Sequence, residues 1–380
     1  MMLRSAALLL ILVHVLEVHA FPITSSKSSK KDRARPNTGG GVGFGNKAPT
    51  LIHDACEDPH IMSLFEFLVQ KQGAIIDAGI EVGVSKETGI RGVFCTRSFN
   101  KGEILCQVPS DAALALSDPS SKEDISLAQA GANFLEMYAL HPDRKMEWGP
   151  YLSTLPKMES TLSDATPDFY EDEELELLEF PRVVNLAHKR QKELKDLATQ
   201  KPDLTLEQIQ YATWIVSSRA FAISITEGEP QVDDKGRPIL TKNTRLLRLL
   251  VPFLDLVNHS SNSPNTELHL IDPEKDDAWF ALKATRDIAG GKEVLHSYGN
   301  GVESSVELLS NYGFVPKENK VDALMLKKGG DDTLATLDAW STTLEEDEIM
   351  LQQVGVDQGR LRTILEFRAR MKKAIGEIKV

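Results

Sequence analysis

The chain has 380 residues, 41% apolar and 26% charged, with a formal net charge of −13 and an isoelectric point near 5.3. That acidic balance argues against nucleic acid as the main partner, because phosphate binding needs clustered Lys and Arg, and against an anionic membrane surface. Cys56, Cys95 and Cys106 make no CxxC and no zinc-ligand spacing, so neither a disulfide framework nor a metal site is expected.

In chain order, Met1 to Ala20 reads as a signal peptide. Arg4 gives the positive start, Ala6 to Val13 is a continuous apolar run, and Val18-His19-Ala20 has the form of a cleavage site. The run is too short to span a bilayer, which takes about 20 apolar residues. Residues 21–50 are Ser-rich and basic, with Asp32 their one acid. That is a transit-peptide composition. Phe21 at the first mature position, followed by such a stretch, resembles the two-part presequence of plastid proteins in algae with secondary plastids. The plastid stroma is therefore the expected location, with the secretory pathway as the alternative. The Gly39–Gly45 cluster fits no dinucleotide fingerprint and reads as linker.

β character is expected at Val93–Thr96 and Ile104–Val108, around a turn at Asn100-Lys101-Gly102. From about Ser121 to Leu250 the spacing is mostly helical, with Thr205 placed as an N-cap. β character returns at Leu250–Leu256, Glu267–Ile271, Trp279–Ala284 and Glu293–Ser297. Val306–Asn311 is a short helix. Residues 331–380 are helical again, with an apolar stripe of Leu361, Ile364, Leu365, Phe367 and Met371.

Four stretches then stand out for their chemistry: Gly89-Ile90-Arg91-Gly92, "SSRAF" (Ser217–Phe221), "VPFLDLVNHS" (Val251–Ser260), and "HSYGN" with "NYGFVP", which carry Tyr298, Tyr312 and Phe314. The third sets Asp255, Asn258 and His259 at the rim of an apolar run, more hydrogen-bonding equipment than a strand end needs. There is no GxSxG or HExxH to support a hydrolase.

In this order and spacing the four stretches, with "EWGPYLSTLP" (Glu147–Pro156), resemble a SET-domain methyltransferase of the helical-insert type. That group includes the Rubisco large-subunit lysine methyltransferases and related actin-histidine methyltransferases. The resemblance implies an α+β class: a β-rich SET fold over residues 64–316 with a knot-like C-terminal crossing, a helical insert at about 121–248, and a small helical substrate-binding domain over 317–380. It also implies S-adenosyl-L-methionine as cofactor and a protein substrate, with no metal, nucleic acid or membrane in the mature form, and a monomer.

By the same resemblance, Gly89, Ile90 and Arg91 approach the methionine end of the cofactor. The Asn258 side chain and the His259 backbone hold it, and Phe314 stacks on its adenine. His259 and Phe314 also read as ordinary core residues. Tyr298 is the catalytic residue and touches the cofactor. Tyr312, Arg219, Phe221 and Asp255 line the substrate side, although Arg219 and Asp255 would serve equally as a buried ion pair. Apolar Phe221 and Leu254 favour a lysine acceptor, because an imidazole would need a polar partner for its second nitrogen. Protein-histidine methylation and a catalytically inactive binding protein stay as alternatives. The segment after Tyr298 departs from the family: it is about one residue longer, with Ser305 where Asn is expected. Rubisco large subunit or a stromal aldolase is the substrate the family implies.

Overall fold

The computed structural model describes residues 52–118, 124–158, 166–226, 244–273, 275, 277–329, 340–355 and 358–379. The signal and transit-like segments lie outside them, as does part of the expected tail helix. No helix among the described residues is long and apolar enough to cross a membrane.

The elements begin with β1 (His53–Ala55) and α1 (Pro59–Glu66), which runs on as a wider turn through Lys71. Then come β2 (Ile75–Ile76), β3 (Ile80–Ser85), β4 (Arg91–Cys95), β5 (Ile104–Pro109) and β6 (Leu114–Ala115). Helices α2 (Leu127–Phe134), α3 (Pro142–Glu147), α4 (Gly149–Leu152), α5 (Asp172–Leu178), α6 (Pro181–Gln200) and α7 (Leu206–Arg219) follow. The chain returns to strands with β7 (Phe221–Thr226), β8 (Thr244–Leu250), β9 (Asn258–His259), β10 (Thr266–Ile271), β11 (Trp279–Ala284) and β12 (Glu293–His296). It finishes with α8 (Ser305–Tyr312), α9 (Lys320–Lys328), α10 (Leu344–Gln353) and α11 (Gly359–Lys379).

The main sheet runs β1-β3-β4-β12-β10-β11-β5-β2. β12 is its pivot: it pairs antiparallel with β4 and parallel with both β9 and β10. Parallel pairs need a crossover rather than a tight turn, so the residues between β9 and β12 fold back across this strand. A second sheet joins β6, β8 and β7.

Three expectations change. β3 was not anticipated, because "IEVGVS" is short and carries a glycine that weakens the strand signal. The strand before the "DLVNHS" stretch is Thr244–Leu250 rather than Leu250–Leu256, and Leu254–Leu256 is a tight helical turn. The stretch from Ser121 to Leu250 is therefore not purely helical: α7 stops at Arg219 and Phe221 opens a strand. The α7 start holds as expected. Thr205 and Gln208 exchange side-chain and main-chain hydrogen bonds at 3.1 and 2.9 Å, a capping box that satisfies two orphan donors.

Two apolar cores result. One lies between the sheet strands and helices α2 and α7, centred on residues such as Val93, Leu105, Phe134, Ile215 and Phe253. In the other, Ile364, Phe367, Met371 and Ala374 of α11 are buried against Leu175 and Leu178 of α5 and Val306 and Leu309 of α8. The C-terminal helices thus share a core with the inserted helices and with α8, the helix that follows Tyr298.

Candidate active site

Phe253 is fully buried at a φ of 74°. A non-glycine residue there costs about 1–2 kcal/mol, which burial of the ring offsets. The bend turns the chain so that Asp255 faces inward and Asn258-His259 pairs with β12, Leu295 opposite Asn258 and His296 opposite His259.

Asn258 is a tie between strands. Its amide nitrogen donates to the Arg91 carbonyl at 2.9 Å and to the Glu293 carboxylate at 2.8 Å. Gly92 leaves room for this tie: a Cβ would lie 2.5 Å from Glu293 Oε1 and 2.8 Å from Asn258 Nδ2, so both side chains would have to shift. At the preceding turn the main-chain donors are used within the hairpin. Gly89 N–H reaches the Ser85 carbonyl at 2.8 Å, Ile90 N–H reaches Thr88 Oγ1 at 3.2 Å, and the Ile90 carbonyl accepts from Ser85. The Ile90 side chain is 57% exposed. Arg91 donates to the Thr154 carbonyl at 3.2 Å, joining the turn to the end of "EWGPYLSTLP".

His259 uses both ring nitrogens. Nδ1 accepts the main-chain N–H of Tyr298 at 3.0 Å, and Nε2 pairs with Ser261 Oγ at 2.7 Å. Because Nδ1 accepts, Nε2 carries the proton. Burial first, then neighbouring His296, push its pKa down to about 4, so the ring is neutral.

Tyr298 opens a short helical turn after β12. Its hydroxyl donates to the Val257 carbonyl at 3.0 Å. Burial raises its pKa to about 12, and burial raises that of Tyr312 as well, so both phenols are neutral. Their rings stack at 4.6 Å with a 30° interplanar angle. Phe314 stands edge-on to Tyr298 at 6.5 Å and lies 5.8 Å from the His259 ring. Phe221 reaches the same place through His296, whose ring is 6.5 Å from Phe221 and 6.4 Å from Tyr298. Leu254 is buried.

Arg219 and Asp255 do form a buried pair. Nη1 donates to the Asp255 backbone carbonyl at 3.1 Å and lies 3.7 Å from Oδ2. The fully enclosed Tyr151 hydroxyl donates to the same Oδ2 at 2.9 Å. Burial raises the Asp255 pKa despite Arg219. Two enclosed atoms of the pair, Arg219 Nε and Asp255 Oδ1, have no hydrogen-bond partner among the described residues. Enclosed polar atoms without partners are costly, so these two call for a role beyond the ion pair.

Arg91, Asn258, His259, Tyr298, Tyr312, Phe314, Arg219, Asp255 and Phe221 are linked in one place, whereas Gly89 and Ile90 bond only within their hairpin. Ser305 lies elsewhere. Its N–H and Oγ bind the two Asp322 oxygens at 2.6 and 2.7 Å, and Asp322 accepts from Arg370 Nε at 2.7 Å. It clamps α8 to the C-terminal helices. Sequence reasoning gave no role to Tyr151, Glu293, His296 or Glu303. Tyr151 and His296 sit inside stretches already quoted, but their partners are distant in sequence. Among the described residues no group of three or more His, Cys, Asp or Glu is arranged to hold a metal.

A SET-domain family model matches residues 90–299. No curated protein matches. Solved structures with a similar fold include the SET domain of LSMT bound to lysine and AdoHcy, with a TM-score of 0.59 and 16% identity over 85% of this chain and 90% of that one. Rubisco LSMT bound to AdoMet has a TM-score of 0.58 at 16% identity, over 84% and 91%. Rubisco LSMT bound to sinefungin and monomethyllysine has 0.57 at 18%, over 84% and 90%.

Proposed function

The chain belongs to the SET-domain family, whose enzymes use S-adenosyl-L-methionine to methylate proteins, and from that premise we propose that it is a protein-lysine N-methyltransferase acting at Tyr298. The observation that carries this reading is the stacked pair of neutral phenols, Tyr298 on Tyr312, at the end of β12. An alkyl amine needs apolar walls that disfavour its charge, because it must lose a proton before it has a lone pair to offer. Tyr298, Tyr312, Phe221 and buried Leu254 are such walls.

The residues present fit the cofactor. When bound, it supplies a methyl group on a sulfonium, activated for displacement by a nitrogen lone pair. The open Arg219 Nε suits a carboxylate and the open Asp255 Oδ1 suits a cation. The faces of Tyr298, Tyr312 and Phe314 attract positive charge, and Phe314 offers a surface for adenine. Tyr298 orients the acceptor. Its hydroxyl is held by Val257 and its main chain by His259, so the orientation is fixed before substrate arrives. Asn258 holds the Gly89–Arg91 turn against β12, which keeps the cofactor side rigid.

The LSMT structures with lysine and with monomethyllysine support a lysine acceptor by analogy of fold. One observation favours histidine as the second reading: the open Nδ1 of His296 beside Phe221 would serve an imidazole's second N–H. We further propose that residues 1–50 direct the protein to a plastid, where Rubisco large subunit or an aldolase is the substrate. A fusion of that segment to a fluorescent protein should enter the plastid of an alga with a secondary plastid; secretion would refute this. The acceptor is tested by incubating purified protein and a plastid extract with methyl-labelled S-adenosylmethionine, then hydrolysing the labelled bands. Methyllysine is expected, and methylhistidine alone would select the second reading.

A further inference from the structure

His296 is a half-buried titratable group with an enclosed Nδ1, and the lysine scheme above does not use it. It lies two residues before Tyr298 at the end of β12, so both side chains leave the chain on the same face. Its ring sits between Phe221, at 6.5 Å, and Tyr298, at 6.4 Å. The backbone of Thr266 lies opposite His296 in the parallel β10–β12 pair and works against the burial of the ring by favouring its protonated form. Nδ1 is enclosed and has no hydrogen-bond partner among the described residues, which leaves Nε2 as the donating atom and Nδ1 as a bare acceptor. Burial lowers the pKa, so the ring stays neutral and that lone pair stays available. Phe221 and Tyr298 flank the ring with aromatic surface, and no described residue satisfies Nδ1.

We propose that Nδ1 of His296 accepts a hydrogen bond from the N–H of the acceptor amine, and that this bond limits how many methyl groups the enzyme adds. The inference rests on the lysine reading. A neutral primary amine has two N–H groups and one lone pair. Anchoring one N–H on His296 leaves the lone pair to be aimed at the methyl donor. Each transfer forms an N–C bond as the S–C bond breaks, and the proton displaced from nitrogen passes to solvent. A monomethylated amine, once neutral, still has an N–H for His296. A dimethylated one has none, so a third transfer would have to bury Nδ1 without a partner. Losing one neutral hydrogen bond is worth about fivefold to tenfold. The third transfer is therefore slowed about fivefold to tenfold, and the dimethyl state accumulates.

The test uses the full protein with ¹⁵N-labelled histidine, saturated with S-adenosylhomocysteine and titrated with L-lysine. A variant, His296→Phe, assigns the resonance. The His296 Nδ1 signal is expected to move on addition of lysine and to stay in place with trimethyllysine. Calorimetry verifies that lysine binds. In parallel, methylation of a plastid extract is sampled over time, before completion, and the methyllysines are analysed. Wild type should give mainly mono- and dimethyllysine. His296→Phe should add trimethyllysine, with a KM raised about fivefold to tenfold. His296→Asn, whose side-chain oxygen stands near the place of Nδ1, should restore the wild-type pattern. Lysine binding with an unmoved Nδ1 signal, or an unchanged product pattern in a folded His296→Phe, overturns this proposal alone. If lysine does not bind and only methylhistidine forms, the lysine reading falls and this proposal falls with it. Should His296→Phe not fold, the wild-type titration decides.

Discussion

Nδ1 of His259 accepts the main-chain N–H of Tyr298 at 3.0 Å. One parallel strand pair thus sets the backbone of the residue proposed to orient the acceptor, and the His259 side chain works as a bracket.

Replacing His259 with Leu should strand that N–H and lower the methyl-transfer rate about tenfold, the worth of one misdirected hydrogen bond. His259→Asn, which can still accept at that position, should recover most of it. The bracket also titrates. Its folded pKa of about 4 lies below the ordinary 6.5, so the unfolded chain binds more protons between those values. Its contribution to stability is present above pH 6.5 and is lost as pH falls towards 4. Melting temperatures from pH 7.5 to 4.5 should decline less steeply in His259→Asn than in wild type.

Glu303 gives the opposite sign. Gly299 has a φ of 61°, and a Cβ there would run into the Glu303 carboxylate. Glu303 Oε2 has no partner among the described residues, and burial raises the pKa from 4.5 to about 7. The folded state therefore binds the extra proton. Stability from this group is present below pH 4.5 and is lost as pH rises through 7. Glu303→Gln should be more stable than wild type at pH 8 and nearly equal at pH 4.5, as read by denaturant midpoints. Equal midpoints at pH 8 would refute this.

The Ser305–Asp322–Arg370 clamp should be costly to break. Asp322 is fully buried and Arg370 is 6% exposed. Asp322→Ala removes the nearer counter-charge of a buried guanidinium and leaves it only Glu377, at 3.4 Å, a loss of about 3 kcal/mol, measurable by urea unfolding. Because α8 also carries Tyr312, methylation should weaken as well. A loss below about 1 kcal/mol would show that the clamp is dispensable.

How much of this was legible in the sequence differs from residue to residue. The short stretches with unusual chemistry, "DLVNHS" and "HSYGN", were legible because polar groups at the rim of an apolar run need a reason. The partners of those groups were not. Tyr151 reaches Asp255 across 104 residues and Asn258 reaches Arg91 across 167, distances over which no local pattern speaks. Thr244–Leu250 was read as helical because "TRLLRLL" spaces its leucines in a way that suits both periods. Pairing with β7 decides for the strand. Ser305 stood out only as a departure from the family pattern, and its contact with Asp322 reveals a fastening.

The central claim is that methyl transfer depends on the Tyr298 hydroxyl. Its most direct test is the single-turnover rate of label transfer from S-adenosylmethionine into plastid-extract proteins, compared between wild type and Tyr298→Phe. The ring and its stack on Tyr312 remain in the variant, so calorimetric affinity for the cofactor should change little. The rate should fall about a hundredfold, equal to roughly 2.7 kcal/mol of lost orientation and transition-state contact. A variant that transfers methyl at close to the wild-type rate would contradict the account and move the active site away from Tyr298.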